Sequence, residues 1–598
     1  MANTPRALEY FPNLVSMFFT RAKSQGDKPF LWHKSGDGWV SLSWADAATK
    51  VASLAAGLKA IGVQRGDRVI LVSENRPEWC ISDLAIMAAG CVTVPTYVTN
   101  TERDHAHIIE NSGARAIIVS TAKLARTLLP AVLRASEPKI VIGIDEIRVT
   151  QGPTFYRWQA LIDQHPATAD ACAAAADFGR DDLACIIYTS GTGGSPRGVM
   201  QHHGAILHNC AGCATVISED FGWTDEVFLS FLPLSHAYEH TGGQHFAISL
   251  GGQIYYAEGL DKLAANIEET RPTIMFVVPR LFEVLRTRIS KAIEKQGGMS
   301  AYMLGIALDV GAREYAGTLR LSDRPKQLLI RTIFKPRIAK RFGGRLKAMV
   351  SGGAPLNPEI GIFFQSLGLT FLQGYGQTEA APVISCNRPA AGVRMDGVGP
   401  PLINTEVKIA ADGEILVRGE LVMHGYWRNE AETARVLQDG WLHTGDIGEI
   451  DAAGRIKITD RKKDIIVNDK GDNVAPQKVE GMLTLRDEIV QAMIYGDRKP
   501  YMVAVIVPDP EWTQQWCAKN GDMCDFKRLA ENSEYRTAIG HAVEQVNKDL
   551  SVTERIRRFI LADSGFTIEN EQLTPSLKIR RHVLKDVYGA RLDGLYKG

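Results

Sequence analysis

Charge of one sign, long apolar runs and abundant cysteine are all missing from this sequence. Its 598 residues carry 68 lysines and arginines against 68 aspartates and glutamates. This balance argues against a protein that binds nucleic acid or another polyanion over its whole surface. No uncharged apolar run reaches the roughly 18 residues that a membrane-spanning helix needs. The nearest run, 84–98, contains Pro95 and small residues, which favour a buried α/β core.

The nine cysteines are scattered and odd in number, which argues against a secreted domain held by several disulfides. A reducing cytoplasm is the simpler setting. Residues 1–13 also lack the charged and then apolar layout of a signal peptide. Cys210 and Cys213 lie near several histidines and invite a zinc interpretation. They form one CxxC pair without a second, however, so buried thiols are the favoured reading.

The length is too great for one hydrophobic core, so at least two folding units are expected. Short β-branched runs alternate with helical patterns in the first 350 residues, which predicts an α/β domain of parallel sheets with flanking helices. The predicted strands include 68–73, 114–120, 139–144, 183–187, 226–234, 273–279 and 346–350.

From about residue 399 the sequence pattern changes to short predicted strands with Gly and Asp-Gly turns. This pattern predicts a small β-rich subdomain over about 399–461. The charged segment 461–463 is the predicted domain boundary. We therefore expect an N-terminal domain over 1–461 and a smaller, mobile α+β domain over 462–598.

The segment 188–198 is the most informative stretch, because it follows a predicted buried strand and reads Tyr-Thr-Ser-Gly-Thr-Gly-Gly-Ser-Pro-Arg-Gly. Glycines let backbone N–H groups approach phosphate oxygens, and the hydroxyls and the guanidinium add donors and charge. The P-loop pattern fails because Val199 follows Gly198, and the dinucleotide fingerprint fails at Pro196. A flexible strand-to-helix connection is the alternative.

Further motifs follow this loop in a fixed order. They are Leu232–His236, Ser351–Leu356, Gly374–Glu379, Thr444–Asp446, Asp460–Asp464 and Leu573–Lys578. With these motifs, the chain from about 30 to 590 resembles the adenylate-forming ligases, which include acyl-CoA synthetases, adenylation domains and luciferases. The amino-acid sequences of segments 460–466 and 573–578 are most similar to the corresponding motifs of the long-chain fatty-acid–CoA ligases.

The resemblance implies an ATP site in which Tyr375 stacks on adenine and Asp446, placed on an exposed turn, accepts the ribose hydroxyls. A packed core aromatic and a simple turn-former are the alternatives. For Arg461, which would contact ribose or phosphate, the alternative is a solvated surface charge. The implied ATP and AMP contacts are Thr189, Ser190, Gly191, Thr192, Gly193, Gly194, Arg197, Gly353, Ala354, Pro355, Gly374, Tyr375, Gly376, Thr378, Asp446, Arg461 and Lys578.

The resemblance also implies the catalytic groups. Lys578 would neutralise the charge that spreads over the α-phosphate, although a lone late lysine is otherwise a surface cation. His236 would sit beside the substrate carboxylate at the mouth of an acyl tunnel, with a hydrogen-bonded core histidine as its alternative. The implied catalytic set is Lys578, Glu379, Thr378, His236 and Arg197.

Magnesium, ATP and coenzyme A are the implied cofactor and co-substrates. Glu379 is the best Mg²⁺ ligand because the ion prefers hard carboxylates with phosphate oxygens and waters, and the resemblance adds Thr189. A helix-start carboxylate is the other reading of Glu379. Lys463 matches the position of the hinge about which the C-terminal domain of the family rotates.

Two positions depart from the family pattern, which usually has Thr at the position of Gly193 and Lys at that of Arg197. The first change removes a hydroxyl donor, and the second changes a point charge into a planar fork. We expect activity to survive with altered ATP affinity.

The segment 324–347 holds nine basic residues, no acidic ones and interleaved apolar side chains. Such a surface could contact anionic lipid at the inner face of a membrane, which leaves peripheral attachment open for an otherwise cytoplasmic protein. A core-facing helix with a solvated basic face, broken at Pro336, is the favoured reading. The oligomeric state stays open, with a homodimer as one alternative.

The function that these residues and the resemblance imply is an ATP-dependent acyl-CoA synthetase. It would activate a fatty acid, with a long chain as the first expectation, through an acyl-AMP intermediate. It would then transfer the acyl group to coenzyme A. The alternatives are a fatty acyl-AMP ligase that loads a carrier protein and an inactive nucleotide-binding scaffold. No nucleic-acid partner is expected.

Overall fold

The computed structural model describes residues 6–137, 140–147, 152–189, 196–354, 356–462, 464–470, 472–521, 524–574 and 579–597. Strands and helices alternate through the first 390 residues, as the sequence predicts. The strands are β1 Pro29–Ser35, β2 Gly38–Ser43, β3 Arg68–Val72, β4 Val92–Thr96, β5 Ala116–Val119, β6 Ile140–Gly143, β7 Thr154–Arg157, β8 Leu183–Thr189, β9 Arg197–His202, β10 Val227–Ser230, β11 Gln253–Tyr256, β12 Ile274–Val277, β13 Ala348–Ser351, β14 Phe371–Gly376 and β15 Val383–Cys386.

Helices occupy the intervals between these strands. They are α1 Leu14–Gln25, α2 Trp44–Ala60, α3 Pro77–Ala88, α4 Glu102–Ser112, α5 Ala122–Arg134, α6 Trp158–Gln164, α7 Ala169–Ala174, α8 His203–Asp220, α9 Ala237–Glu239, α10 Phe246–Ser249, α11 Leu263–Thr270, α12 Pro279–Gln296, α13 Gly298–Tyr315, α14 Arg324–Leu329, α15 Lys335–Arg341 and α16 Pro358–Ser366. Two π-helical turns, His240–His245 and Ile330–Phe334, and three 3₁₀ turns, Leu321–Asp323, Thr378–Ala380 and Pro389–Ala391, complete the set.

The N-terminal domain contains two large sheets. One has the strand order β7-β6-β5-β3-β4-β8-β9 and is parallel except at its β8–β9 edge. The other has the order β15-β14-β13-β12-β10-β11-β1-β2 and is parallel except at its two edge pairs. Helices α1, α2, α3, α8 and α10 contribute to a common core with strands of both sheets. Every residue of α3 except Glu78 is buried, because this helix has neighbours on all sides.

The chain then builds a smaller β-rich unit and an α+β region. Their elements are β16 Glu406–Ile409, β17 Glu414–Arg418, α17 Glu430–Val436, β18 Leu437–Gln438, β19 Trp441–Ile450, β20 Ile456–Arg461, β21 Ile466–Val467, β22 Asn473–Val474, α18 Pro476–Leu483, β23 Ile489–Tyr495, β24 Met502–Pro508, α19 Pro510–Asn520, α20 Phe526–Glu531, α21 Ser533–Lys548, β25 Ile556–Leu561 and α22 Arg581–Gly594. The predicted fold class, a large α/β domain with a β-rich part and a smaller α+β domain, is confirmed.

Two local expectations and one alternative interpretation are wrong. The strand expected over 226–234 ends at Ser230, because the side chain of Asn75 bonds the backbone beyond it: Nδ2 donates to the Leu232 carbonyl at 2.7 Å, and Oδ1 accepts from the Leu234 N–H at 3.1 Å. The glycine-rich loop does not connect a strand to a helix. It lies between the antiparallel strands β8 and β9, whose register pairs Thr189 with Arg197.

The third concerns Pro336, which does not break its helix. Residues 324–341 stay helical because the π turn Ile330–Phe334 directly precedes Lys335. The wider turn accommodates the missing backbone N–H of Pro336 without ending the helix. Ile330, Phe334 and Ile338 face the core, while the basic side chains face solvent.

Cys517 and Cys524 form the single disulfide contact of the structure, and the other seven cysteines are free. One such pair is not the framework of several bridges that small secreted domains use. No helix among the described residues combines the length and the apolar character that crossing a bilayer demands.

Candidate active site

A cavity of about 3000 Å³ lies where the N-terminal domain, the β-rich unit and the C-terminal region meet. Twelve predicted site residues line it together: Thr189, Arg197, His236, Gly353, Ala354, Gly374, Tyr375, Gly376, Thr378, Glu379, Asp446 and Arg461. The other predicted residues lie outside the described part of the chain: Ser190, Gly191, Thr192, Gly193, Gly194, Pro355, Lys463 and Lys578.

Strand geometry brings Thr189 and Arg197, the two ends of the glycine-rich loop, close to the 3₁₀ turn Thr378–Ala380. Gln201 of β9 donates from Nε2 to the Thr378 carbonyl at 2.7 Å, and this bond ties one large sheet to the turn that follows the other. At Gly376, the last residue of β14, a Cβ would overlap the carbonyl oxygen of Pro382. Only glycine therefore lets the chain enter this turn so close to β15.

Tyr375, Asp446 and Arg461 form one hydrogen-bonded group. The Tyr375 hydroxyl donates to Asp446 Oδ2 at 2.8 Å, and Arg461 Nε donates to Asp446 Oδ1 at 3.0 Å. Burial disfavours the charged guanidinium, but the Asp446 carboxylate raises the pKa of Arg461 above its usual value. The Arg461 guanidinium and the Tyr375 hydroxyl orient both oxygens of the Asp446 carboxylate, which can accept further hydroxyl donors.

Asp446 does not lie on an exposed turn, as the sequence suggested. It is 5% exposed and sits within β19, which pairs with β17 on one side and with β20 on the other. The Thr-Gly that precedes it signals a turn, but Gly445 adopts a φ of 73° inside the strand region instead. Tyr375 is also buried, at 6% exposure, in the core of the β-rich unit. Its ring is thus a packed aromatic that also lines the cavity.

A second polar chain runs from Glu379 to Glu432. The Tyr426 hydroxyl donates to Glu379 Oε1 at 2.7 Å, and the Arg197 guanidinium lies 4.8 Å from the centre of the Tyr426 ring. Arg197 Nη1 donates to Glu432 Oε2 at 2.7 Å. Burial and the neighbouring Glu379 raise the pKa of Tyr426, which keeps its hydroxyl protonated as a donor. Tyr426 and Glu432 could not be identified from the sequence, because neither stands in a motif.

The donor set of Glu379 and Thr189 fits a magnesium ion that a substrate polyphosphate completes. Tyr426 orients one carboxylate oxygen of Glu379, both residues are partly exposed, and both line the cavity. Neither belongs to a group of three or more metal-ligating side chains among the described residues. Mg²⁺ typically takes one or two protein oxygens and leaves its other positions to phosphates and water, so this small set is suitable.

His236 stands directly before α9 and caps it, since its Nδ1 accepts the Tyr238 N–H at 3.1 Å. It is partly exposed to the cavity and is not a fully buried core histidine. Beyond it the cavity continues inward between α8 and the central strands. Apolar side chains line this inner part: Cys213, Val216, Ile217, Phe246, Ile274 and Phe276.

Cys210 and Cys213 lie on α8 as free thiols, Cys210 buried and Cys213 partly buried. Neither belongs to a group of three or more potential metal ligands among the described residues. Burial raises the pKa of the Cys213 thiol to about 12. Such a thiol is protonated at neutral pH and is a poor metal ligand.

Glu239, in α9, is the one acidic side chain among the described residues of this inner lining. It is 1% exposed, and burial raises its pKa to about 8. The folded protein therefore holds a proton that the unfolded chain releases above about pH 4.5. Because the unfolded state then binds fewer protons, stability falls as the pH rises from about 4.5 to about 8.

We expect Glu239→Gln to remove this loss, since an amide fills the same space without ionising. The variant should melt about 3 to 6 °C above the wild type at pH 8.5 and within about 1 °C of it at pH 5, as thermal unfolding followed by circular dichroism would show. The exposed Glu268 on α11 offers a control, and Glu268→Gln should match the wild type at both pH values. An equal shift of Glu239→Gln at both pH values would contradict the assignment.

The C-terminal region faces the same cavity. Leu573, Thr574 and Ile579, on either side of the undescribed 575–578, contribute to its lining. Arg581 of α22 and Glu480 of α18 also line the cavity and form an ion pair, with Nη1 2.7 Å from Oε1. Burial and the nearby Asp464 raise the pKa of Asp460 to about 6.

Comparisons with known proteins agree with this architecture. The profile of a family described as AMP-binding enzyme matches residues 18–427, and that of the AMP-binding enzyme C-terminal domain matches 463–598. The chain is 32% identical over 594 residues to the long-chain-fatty-acid–CoA ligase FadD15 of Mycobacterium tuberculosis, with coverage of 98% of this chain and 97% of that protein.

It is also 31% identical to the peroxisomal long chain acyl-CoA synthetase 6 of Arabidopsis thaliana, with coverage of 93% of this chain and 81% of the relative. Among solved structures, the adenylation domain of a carboxylate reductase from Mycobacterium chelonae superposes with a TM-score of 0.75 at 22% identity. That match covers 100% of this chain and 94% of the other, and it concerns the fold alone.

Proposed function

The chain belongs to the AMP-binding enzyme family, and from this premise we propose that it is an ATP-dependent acid–thiol ligase. It activates a fatty acid as the acyl adenylate and then transfers the acyl group to coenzyme A. The observation that carries the proposal is the convergence of twelve motif residues, distant in sequence, on one cavity that has a polar mouth and an apolar interior.

In the first half-reaction, an oxygen of the fatty-acid carboxylate attacks the α-phosphorus of ATP, and pyrophosphate leaves. Tyr375 and Asp446 hold the adenosine, with Asp446 accepting the ribose hydroxyls while the hydrogen bond from Arg461 holds its carboxylate in place. His236 orients the carboxylate at the mouth of the inner cavity. Positioning and neutralisation of spreading charge supply most of the rate acceleration in such displacements.

The phosphates lie against the 189–197 loop, whose ends are fixed by the Thr189–Arg197 register pair. Glu379 and Thr189 would hold a Mg²⁺ ion, which neutralises phosphate charge when it is bound. Lys578 supplies the cation for the transferring α-phosphate from the C-terminal side. Tyr426 keeps the Glu379 carboxylate in one orientation by its hydrogen bond.

In the second half-reaction, the thiol sulfur of coenzyme A attacks the acyl carbonyl carbon. The C–O bond to the phosphate breaks, and AMP leaves. We propose that residues 462–598 form a mobile domain that turns about Lys463 between the two steps and withdraws Lys578 from the site. The polar contacts around the boundary, such as Lys462 Nζ with Asp412 Oδ2 at 2.7 Å, suit repeated breaking and remaking better than an apolar interface.

The long-chain preference rests on two supports. FadD15 and the Arabidopsis enzyme carry long-chain ligase names. The inner part of the cavity is lined by apolar side chains, which suit the alkyl chain of a fatty acid.

The decisive assay mixes the protein with Mg-ATP, coenzyme A and saturated acids from C4 to C18, and follows AMP and thioester together. We expect equal amounts of both products, with the highest kcat/KM above C12. Adenylate that accumulates despite coenzyme A would favour a carrier-protein acceptor. No acid-dependent pyrophosphate with any acid would favour the inert scaffold, and either outcome overturns the proposal.

Arg197→Lys tests the proposed phosphate contact. A lysine cannot pair with Glu432, lie over the Tyr426 ring and reach a phosphate with one ammonium. The loss of about 1 kcal/mol from such a partly exposed contact should raise the KM for ATP about three- to tenfold and lower kcat less than threefold. Arg435 also donates to Glu432, at 2.9 Å, but from an exposed position, so Arg435→Lys is the matched control and should change neither constant. An unchanged KM in Arg197→Lys would refute the contact.

Membrane attachment through 324–347 and a homodimer both stay predictions. Support for the first comes from Leu328 and Ile333, which are exposed among the basic side chains of this segment, at 63% and 42%. Exposed apolar groups flanked by cations suit an anionic bilayer surface.

A further inference from the structure

A polar cluster lies deep in the N-terminal core, and none of its four residues takes part in the proposed mechanism. It consists of Asp83 on α3 and of His240, Gln244 and His245 on the π turn that follows α9. All four residues are 0% exposed. Polar groups at this depth are costly unless their hydrogen bonds or ligands are complete.

The potential ligand atoms converge on one point. Asp83 Oδ2 lies 2.7 Å from Gln244 Nε2, 3.0 Å from His240 Nε2 and 3.4 Å from His245 Nε2. The two histidine Nε2 atoms lie 3.3 Å from each other. Zinc binds nitrogen and oxygen at about 2.0–2.1 Å, and the edges of such a tetrahedron are about 3.3–3.4 Å long. The 3.4 Å separation of Asp83 Oδ2 from His245 Nε2 and the 3.3 Å separation of the two Nε2 atoms match these edges, while the 2.7 and 3.0 Å separations are those of hydrogen bonds and would lengthen around an ion.

Helix geometry explains why the two histidines meet. In an α-helix, residues five apart point about 140° away from each other. A π turn closes i to i+5 hydrogen bonds, and residues five apart then lie on one face. The segment His240–His245 is such a turn, so both rings reach Asp83. Single π turns inside α-helices are rare and occur frequently at functional sites.

Hydrogen bonding alone leaves the cluster incomplete. Asp83 Oδ1, Gln244 Oε1 and the Nδ1 atoms of both histidines have no hydrogen-bond partner among the described residues. The Nδ1 atoms lack one in either tautomer. The two ends of the Gln244 side-chain amide are interchangeable in position, so either its nitrogen or its oxygen can lie beside Asp83. With the amide turned, its oxygen takes the place of Nε2 and becomes a fourth ligand atom beside the carboxylate.

We propose that Asp83, His240, Gln244 and His245 form a closed, tetrahedral site for a divalent transition-metal ion of the zinc class. Imidazole, carboxylate and amide oxygen are ligands that zinc accepts, and a closed shell of four protein ligands marks a structural site. The ion would fix the π turn to α3 and would thereby hold the segment that carries His236 and Glu239.

A second three-residue group, Asp181, His202 and His424, serves as an internal comparison. Both ring nitrogens of His202 already face backbone carbonyls, at 2.9 Å from Arg180 and 3.2 Å from Val422. Asp181 and His424 are exposed. This group therefore offers at most a loose surface site for metal.

The experiment measures metal content in the full-length protein, produced with zinc in the growth medium and dialysed against EDTA after purification. Plasma mass spectrometry should find about one zinc per chain, and X-ray absorption should find four N or O neighbours at about 2.0–2.1 Å with imidazole scattering. Fewer than about 0.1 zinc per chain in the wild type overturns the proposal, whatever the variants do.

Variants locate the ion. Asp83→Asn with His245→Gln keeps the side-chain volumes and should lower zinc at least tenfold, with folding checked by circular dichroism. His424→Ala, the matched control in the comparison group, should retain about one zinc per chain. Zinc that persists in the Asp83/His245 variant, or that disappears with His424→Ala, contradicts the assignment. This readout does not involve catalysis, so it stands or falls apart from the proposed activity.

Discussion

Lys578→Ala should lower the rate of acid-dependent pyrophosphate release by about 10³-fold, the usual cost of removing a charge-stabilising group from a transition state. The same variant should convert supplied acyl adenylate and coenzyme A to thioester within about threefold of the wild-type rate. The reason is that the proposed rotation about Lys463 has already withdrawn Lys578 when the thiol attacks. Measuring the two half-reactions separately, with labelled pyrophosphate exchange and with synthetic adenylate, gives both numbers.

The C-terminal region provides a matched control for this prediction. Lys585 of α22 also lines the cavity but is exposed. Lys585→Ala should leave both half-reactions within about twofold, because a solvated cation contributes little. Equal losses of both half-reactions in Lys578→Ala would show that the residue supports the fold or the whole site, and not the first step.

Glu379→Gln should lower kcat for adenylation by at least about 10²-fold at saturating magnesium. An amide offers a neutral oxygen, a weaker ligand for Mg²⁺ than a carboxylate. The amide can still accept the Tyr426 hydroxyl, so the local structure should survive and the melting temperature should change little. Titrating magnesium in the pyrophosphate-exchange assay should show a half-maximal concentration at least tenfold higher than that of the wild type.

Glu432→Gln separates this role from that of the neighbouring ion pair. Glu432 accepts from Arg197 at 2.7 Å but does not belong to the proposed magnesium set. Its loss should change the KM for ATP by less than about fivefold and leave the magnesium dependence unchanged. If Glu379→Gln responded to magnesium as the wild type does, Glu379 could not be the ligand.

Periodicity predicted the large sheets well, because buried parallel strands are short, β-branched and separated by helices. The runs at 68–73 and 183–187 became β3 and β8 with small changes at their ends. The run at 226–234 was too long. The side chain of Asn75, about 155 residues earlier in the chain, donates hydrogen bonds to Ser230 and to the Leu232 carbonyl, and the strand ends there. The periodicity of a short sequence segment carries no information about a hydrogen-bond partner that lies so far away in the chain.

The motif residues that the structure describes line one cavity, but the local structure around some of them differs from the expectation. Asp446 was expected on an exposed turn, since Thr-Gly-Asp reads as one, yet pairing with β17 and β20 keeps it in a buried strand. Tyr426 was not identified because its contribution is a hydrogen bond to Glu379, which lies 47 positions away in the sequence. The pairing of His240 and His245 was not predicted. Helical residues five positions apart lie on one face only in a π turn, and the sequence contains no recognisable signal for such a turn.

The enclosure of α3 limits where the molecule can bend. Sliding one large sheet past the other would tear buried side chains such as Trp79 and Leu84 from their neighbours, and each exposed cavity costs several kcal/mol. This cost adds up over the many side chains that the helix buries, so such a sliding motion is strongly disfavoured. Crystals grown with different ligands should therefore preserve the arrangement of the two sheets to within about 1 Å, and the displacement between them should begin after Arg461.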